Sequence, residues 1–298
     1  KCRIEVTDVD RTLAADVAGI TETGTGSITA AFDTNGTFIG DLGDAVVTVA
    51  SGVTMEAAAS VVSGKSITSA VASTSWPVVP AAADEIVFTY NGVAYTATLA
   101  DGDGDPTDAE LNTAIDAAVD AGGNALGADK VTGAIAGGDV TLEADGVDAS
   151  LRGGNYNDEG PAATDSFATV AVTGLENVAA ANLSTLTVNE LTASVGGDVT
   201  FTGNLHDASV TVADGSKFTA AASVVDGKSI TTVNGTIEVT DLDQTLAADL
   251  SGLTQTGTGS ITAAFDINGT FTGDLGDAVV TVADGSKFTA AASVVDGK

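Results

Sequence analysis

The chain has 298 residues, 44% of them apolar, which is enough to bury a core and argues against disorder. Ten Lys and Arg against 41 Asp and Glu give a formal charge of -31 that would repel phosphate backbones and anionic membranes, so we expect no nucleic-acid partner. The single cysteine, Cys2, excludes an intrachain disulfide and a zinc cluster, and no apolar run is long enough to span a membrane.

The chain begins with a segment that returns near its end. Residues 4–65 align without a gap onto 237–298, with 48 identities in 62 positions. The letters VTVADGSKFTAAASVVDGK occur at 210–228 and again at 280–298. We therefore divide the repeats into copy one (1–68), copy two (167–233, the most diverged) and copy three (234–298). Near-identical copies suit a scaffold or multivalent binder, whereas a catalytic site needs different residues placed once, so we expect no enzyme.

Each copy contains short Thr-rich segments that end in Gly, Asn or Asp, as strands with turns between them do. In copy three these are TIEVTDL, GSITAAFDI, GTFTGDL, AVVTVADG and KFTAAASVV. Extended segments recur at about 23 residues, which predicts a mainly β fold, a parallel β-solenoid with about three coils in each unit of about 70 residues. The alternative is a series of tandem β-sandwich domains. Copies two and three are joined without a linker, and the copies lack a bulky aromatic residue to fix two facing sheets.

Between copies one and two the repeat pattern stops, and residues 69–166 are predicted to form an inserted α+β domain. Ile86, Phe88 and Tyr90 alternate before Asn91-Gly92, and alternation resumes through Val93, Tyr95, Ala97 and Leu99, which predicts a hairpin. Thr107 and Glu110 form a capping-box pattern for a helix with Leu111, Ile115 and Val119 on one face and its end at Gly122-Gly123. A second hairpin is predicted around Gly137-Gly138, giving a ββαββ module.

The segment DGDGDPTDAE is the sharpest candidate for a metal site. Its carboxylates alternate as those of calcium loops do. The candidate ligands are Asp101, Asp103, Asp105, Asp108 and Glu110. Pro106 stands where an EF-hand loop needs Gly, and Asn112 stands where it needs a bidentate Glu. An exposed acidic turn before a capped helix is the alternative, and calcium is the only cofactor that the sequence suggests.

Other candidates have weaker patterns. The acidic GDLGD turns at 40–44 and 273–277 could bind cations, although solvated corners are favoured. Asn35, Asn234 and Asn268 each begin Asn-Gly-Thr, which is both a glycosylation sequon and a turn signal.

Three single residues could also carry a function. His206 is the only histidine and stands where copies one and three have glycine, which indicates a loop variation rather than a general base. Arg152 is interpreted as a salt-bridge residue. Cys2 could link a neighbouring molecule, although an inert thiol is favoured.

The scarcity of Lys and Cys, with abundant Thr, Ala, Gly and Asp, resembles large repetitive extracellular surface proteins of bacteria or archaea. FTYNGVAYTATL and LNTAIDAAV in the insert resemble the ββαββ inserts of flagellin-type surface proteins. The resemblance implies an extracellular structural protein that assembles with copies of itself into a surface layer, sheath or filament. The alternative is an adhesin stalk whose insert binds a glycan or protein of a cell surface.

Two contacts follow from the repeat pattern. Since the chain starts and stops within its own repeats, we expect a section of a longer polypeptide, or end-to-end stacking of copies at Lys298. Copy one departs from the other copies at Met55 and Glu56, where copy three has Phe and Thr. We therefore expect the insert to contact the solenoid near Met55.

Overall fold

The computed structural model describes residues 3–6, 16–20, 26–69, 71–77, 84–100, 107–136, 139–145, 149–156 and 163–296; for Arg3, Glu5, Asn155 and Tyr156 it describes the backbone alone. The fold is mainly β. Copy one contributes β1 Arg3–Val6, β2 Ser27–Phe32, β3 Gly36–Phe38, β4 Val46–Val49, β5 Thr54–Ala58 and β6 Ile67–Ser69. The insert contributes β7 Ser73–Trp76, β8 Glu85–Tyr90, β9 Val93–Thr98, β10 Val131–Ala136, β11 Asp139–Ala144, β12 Leu151–Tyr156 and β13 Thr164–Ser166.

The other two copies complete the strands. Copy two contributes β14 Thr169–Thr173, β15 Leu186–Thr187, β16 Glu190–Val195, β17 Val199–Phe201, β18 Ser209–Val212, β19 Lys217–Ala221 and β20 Ile230–Thr232. Copy three contributes β21 Thr236–Thr240, β22 Leu253–Gln255, β23 Ser260–Phe265, β24 Gly269–Phe271, β25 Val279–Val282 and β26 Phe288–Ala290. The helices are α1 Ala59–Val62, α2 Asp108–Asp116, α3 Ala222–Val225 and α4 Ala292–Val295, with 3₁₀ turns at Leu175–Asn177 and Leu242–Gln244.

Strands of successive coils pair in parallel, which makes the three copies one β-solenoid. Among the described residues the ladders run β1-β2-β4-β6-β15, β3-β5-β14-β16-β18-β20-β22, β17-β19-β21-β23-β25 and β24-β26. This confirms the predicted solenoid and rules out the sandwich alternative, whose strands would be antiparallel. The coils are uneven: Thr262 pairs with Val279, Val210 with Ile230, and Ile230 with Leu253, so successive strands are 17, 20 and 23 residues apart.

A continuous core fills the solenoid. Alternate residues of each strand point inward, as in β2, where Ile28, Ala30 and Phe32 are buried. Phenylalanines of neighbouring coils contact one another inside it; the rings of Phe201 and Phe218 are 5.8 Å apart. These rings pack one coil of the solenoid against the next.

The insert has sheets and a core of its own. Its strands pair antiparallel in the orders β10-β11-β7-β13 and β12-β8-β9, and its core includes Trp76, Phe88 and Leu111. Both predicted hairpins are present, with Tyr90 paired to Val93 in the first. The ββαββ description was incomplete, because β7, β12 and β13 also belong to these sheets. The turn at Gly137-Gly138 lies outside the described residues.

The helix α2 begins as predicted and ends earlier. The Thr107 hydroxyl accepts a hydrogen bond from the backbone N–H of Glu110, while the Glu110 carboxylate accepts one from that of Thr107 at 2.8 Å. The helix ends at Asp116 rather than at Gly122-Gly123, because Val119 exchanges backbone hydrogen bonds with Thr96 of β9. Val119 is consequently 43% exposed and not part of the predicted apolar face.

The solenoid continues across the insert without a change of register. β5, which precedes the insert in the chain, pairs with β14, which follows it, through Thr54 and Thr169. The corresponding strands of copies two and three, β19 and β21, pair through the equivalent residues Lys217 and Thr236. The insert therefore lies on a corner of a coil whose neighbours stack as if it were absent.

Candidate functional site

The insert leaves and re-enters the solenoid at one place. Ser73 of β7 pairs with Ser166 of β13, so the two connections run side by side. The Ser51 hydroxyl lies 2.7 Å from the Ser166 hydroxyl, and the Gly52 N–H donates to the Phe167 carbonyl at 3.1 Å. Met55 itself is fully buried in the solenoid core, and the contact between this part of copy one and the insert is made by Ser51 with Ser166.

A second contact joins β12 of the insert to β16 of copy two. The Arg152 guanidinium donates to Glu190 Oε1 at 3.3 Å, lies 3.8 Å from Asp165 Oδ2 and stands 4.2 Å above the Phe167 ring. This confirms the interpretation of Arg152 as a salt-bridge residue. Asn189 Nδ2 also donates to the Ala149 carbonyl at 3.4 Å. We call the region between the insert and these coils, residues 149–152 against 186–191, the seam.

A cavity of about 350 Å³ opens at the seam. Its walls come from the insert hairpin, from the connection between β15 and β16, and from the corner before β18. The lining residues are Asn91, Ser150, Leu186, Thr187, Val188, Asn189, Leu191, His206 and Asp207. Three of them, Leu186, Val188 and Leu191, are buried aliphatic residues, so the cavity combines an apolar wall with a polar rim.

His206 has a backbone conformation that favours glycine. Its φ is +51°, and the glycines at the equivalent positions of the other copies, Gly43 and Gly276, have φ +53° and +50°. A Cβ on Gly43 would lie 2.7 Å from Ala18 Cα, and one on Gly276 would lie 2.3 Å from the Leu250 carbonyl oxygen. In copy two the same backbone conformation carries a side chain, that of His206.

Copy two also has a shortened connection at the cavity. Leu186 corresponds to Leu253 with an offset of 67, and Glu190 corresponds to Ser260 with an offset of 70, so three residues are missing between β15 and β16. The length difference between the copies therefore lies in a loop. The remaining connection, Val188 and Asn189, forms part of the cavity wall. The missing residues were the sequence signal for this site, but nothing in the sequence joined them to His206.

The polar groups of the cavity do not form a catalytic relay. His206 Nε2 lies 3.7 Å from Asp207 Oδ2, and the Lys228 ammonium lies 4.0 Å from Asp207 Oδ1. The backbone N–H of His206 donates to Asn204 Oδ1 at 2.8 Å, which fixes the turn. Ser150 lines the same cavity, yet no hydrogen bond joins it to His206 in the part of the chain that the structure describes.

The proposed calcium loop is only partly described. Asp101, Asp103 and Asp105 lie outside the described residues. Asp108 Oδ1 accepts a hydrogen bond from the Ile135 N–H at 2.8 Å, and Glu110 caps α2, so both carboxylates are already bonded within the insert. Within the described residues no three His, Cys, Asp or Glu side chains come together as a metal site. Calcium binding by this loop stays a prediction.

The acidic corners of the solenoid make turns and stack on one another. Asp41 Oδ1 accepts from the Gly43 N–H and Asp274 Oδ1 from the Gly276 N–H, both at 2.8 Å. Asp249 forms a parallel bridge with Asp274, and hydrogen bonds from Ser251 hold the pKa of Asp249 below its ordinary value. These bonds agree with solvated structural corners and leave cation binding untested.

The three Asn-Gly-Thr asparagines also bond between coils. Asn35 Oδ1 accepts from the Thr54 N–H at 2.8 Å, and Asn268 Oδ1 accepts from the Lys287 N–H at 2.7 Å. Asn234 donates to Asp214 Oδ2 at 2.9 Å. The asparagines therefore act in turns, while glycosylation stays a prediction that an intact mass measurement tests. Cys2 lies outside the described residues.

In the described part of the chain, no helix has both the length and the apolar character needed to cross a membrane. No family model, no curated protein and no solved structure matches the sequence or its fold.

Proposed function

We propose that this chain is an extracellular structural protein whose solenoid coils stack from molecule to molecule into a surface layer, sheath or filament. The observation that carries the proposal is a comparison of the two identical segments that begin at Val210 and Val280. In copy two the segment is buried under the next coil, and in copy three the same residues are uncovered.

The difference in burial is large for the inward side chains. Val212 is 1% exposed and its counterpart Val282 is 40% exposed; Val225 is 0% exposed and Val295 is 40% exposed. The uncovered residues border a cavity of about 280 Å³, formed by Leu275, Val279, Val280, Val282, Phe288 and Val295. Exposed apolar side chains beside open strand edges favour association with a further strand.

Copy two shows which strand covers this segment when a further coil follows it. There β19 pairs with β21, which places Phe218 beside Ile237. The sequence of β1 is the counterpart of β21, with Ile4 and Val6 at the positions of Ile237 and Val239. Among the described residues β1 pairs only with β2, and β26 only with β24. A strand with the sequence of β1 or β21 is therefore the proposed cover for β26, supplied by a further copy of the repeat.

Sedimentation velocity over a range of protein concentrations tests this proposal. The 298-residue chain should form concentration-dependent polymers in at least 0.15 M salt, where the repulsion between acidic chains is screened. Val282→Asp should raise the concentration needed for assembly at least tenfold. Thr281→Asp adds the same charge to the exposed face of the same strand and should have little effect. A chain that stays monomeric, or a Val282→Asp variant that assembles as the parent does, would overturn the proposal.

The proposed role includes no enzymatic activity and no nucleic-acid partner. The near-identity of copies one and three supports the first statement, because a repeated surface does not place the different residues of a catalytic site once. The charge of -31 supports the second. The adhesin role is kept as a second candidate because copy two and the insert together form a cavity at the seam.

A further inference from the structure

We infer that the cavity at the seam binds an uncharged sugar residue. The inference does not depend on assembly of the chain, because the cavity lies within one molecule. It differs from the sequence expectation that the insert binds a glycan, since seven of the nine lining residues come from the solenoid: Leu186, Thr187, Val188, Asn189, Leu191, His206 and Asp207.

The first argument is the cost of placing a histidine at this corner. A side chain in the left-handed region is disfavoured, and such conformations persist at sites where the surrounding structure has a use for them. Copies one and three keep glycine at φ +53° and +50°, whereas copy two has His206 at φ +51°. The turn itself does not require histidine, since glycine makes it twice in the same chain.

The second argument is that both specialisations of copy two meet at the cavity. The connection between β15 and β16 is three residues shorter than its counterpart in copy three, and it lies opposite the insert. His206 and the shortened connection are separated in sequence but line the same cavity. Accommodation of the insert alone explains the shorter connection, but it does not explain an imidazole on the cavity wall.

The third argument concerns the chemistry of the lining. Leu186, Val188 and Leu191 offer an aliphatic wall, while the rim carries amide, hydroxyl, imidazole and carboxylate groups. An apolar ligand would strip water from the rim groups without replacing their hydrogen bonds. An anion would meet Asp207 in a chain of charge -31. A sugar presents C–H faces to the wall and hydroxyl groups to the rim, and the volume lies at the lower end of the range for small-molecule sites.

Saturation-transfer NMR of the full chain with methyl glycosides of neutral hexoses and N-acetylhexosamines tests the inference. At least one glycoside should receive saturation, and a sialoside, which is anionic, should not. His206→Gly restores the residue of the other copies, so it should leave the melting temperature unchanged or raise it while weakening sugar binding at least tenfold. Asp207→Asn should also weaken binding, whereas Asp277→Asn, at the equivalent corner of copy three, should not.

Three results would overturn the inference. One is the absence of saturation transfer to every neutral glycoside of the panel. Another is binding by His206→Gly that equals that of the parent chain. The last is an equal loss of binding in Asp277→Asn and Asp207→Asn, which would place the sugar elsewhere. Failure of the sedimentation experiment leaves this test unaffected, since monomers retain the cavity.

Discussion

Arg152 of the insert and Glu190 of copy two are 38 positions apart in the sequence and are joined at 3.3 Å across the seam. The guanidinium also lies over the Phe167 ring, so it combines an ion pair with a cation–π contact. Because Glu190 begins β16 and Arg152 lies in β12, this contact links an insert sheet directly to a solenoid ladder.

Arg152→Gln should loosen the insert without unfolding the solenoid. The side chain is 45% exposed, so the ion pair and ring contact together should contribute only about 1 kcal/mol. Hydrogen exchange should become faster in β12 and β13 and stay unchanged in β21 and β23. Lys217→Gln removes a cation far from the seam and serves as the control. Equal exchange in β12 of both variants would contradict the role given to Arg152.

Truncation of the same phenylalanine in the two identical segments should have unequal effects. Phe218→Ala removes a fully buried ring and should cost about 3–5 kcal/mol in the free energy of unfolding. Phe288→Ala, in the same local sequence, removes a half-buried ring and should cost less than half as much in the monomer. Denaturant titrations at a concentration below assembly compare the two. Equal costs would mean that the last coil is covered in solution.

Gly153→Ala should destabilise the insert. A Cβ there would lie 2.1 Å from Ala163 Cβ and 2.3 Å from Thr74 Oγ1, so the sheets must move apart. The expected cost is about 1–3 kcal/mol, seen as a lower melting temperature. Gly19→Ala is the control, because a Cβ at Gly19 meets nothing within 4 Å. A neutral Gly153→Ala would show that β12 and β13 pack less closely than described.

The ion pair between Lys217 and Glu238 should make stability depend on acid pH. Its 2.6 Å contact lowers the pKa of Glu238, chiefly through the Lys217 hydrogen bond. A lowered folded-state pKa stabilises the protein above the unfolded pKa of about 4.3, and this stability is lost as the pH falls through the folded value.

Glu238→Gln should therefore be less stable than the parent at neutral pH, by no more than about 1 kcal/mol because the pair is part-exposed. The difference should shrink below about pH 4. Lys217→Met should give the same trend. Chemical denaturation between pH 3 and pH 7 measures it, and a difference that does not change with pH would refute the assignment.

The calcium prediction can be separated from helix capping. Calorimetric titration of the full chain should show heat with calcium that Asp103→Ala abolishes. Glu110→Ala should lower the melting temperature with or without calcium, because it removes the side chain that caps α2. No heat in the parent chain would remove the site.

The solenoid could be predicted from sequence because its signal is periodic and local. Ile28, Ala30 and Phe32 alternate inward in a strand that recurs as Ile261, Ala263 and Phe265. The insert was harder, because LRGGNY in β12 has no apolar alternation and forms a strand through pairing with β8. The end of α2 was misplaced since Val119 is bonded to a distant strand.

The candidate site depended even more on distant contacts. His206 was noted as a departure from glycine, but the sequence could not show that it faces Asn91 and Ser150, which are more than 50 residues away. The lining residues come together only when the solenoid coils and the insert hairpin are placed in space. A repeat alignment can therefore find the unusual copy without finding what surrounds it.

The side-by-side connections at Ser73 and Ser166 make this corner a natural attachment point for foreign domains. A guest whose two termini lie close together could replace residues 71–166 without stretching the chain, because β5 and β14 already stack in the register of uninterrupted coils. The equivalent corner, between β20 and β21, is closed by three residues and lies about 70 positions after the end of the insert. Domains inserted at both corners would project from the same solenoid, one repeat unit apart.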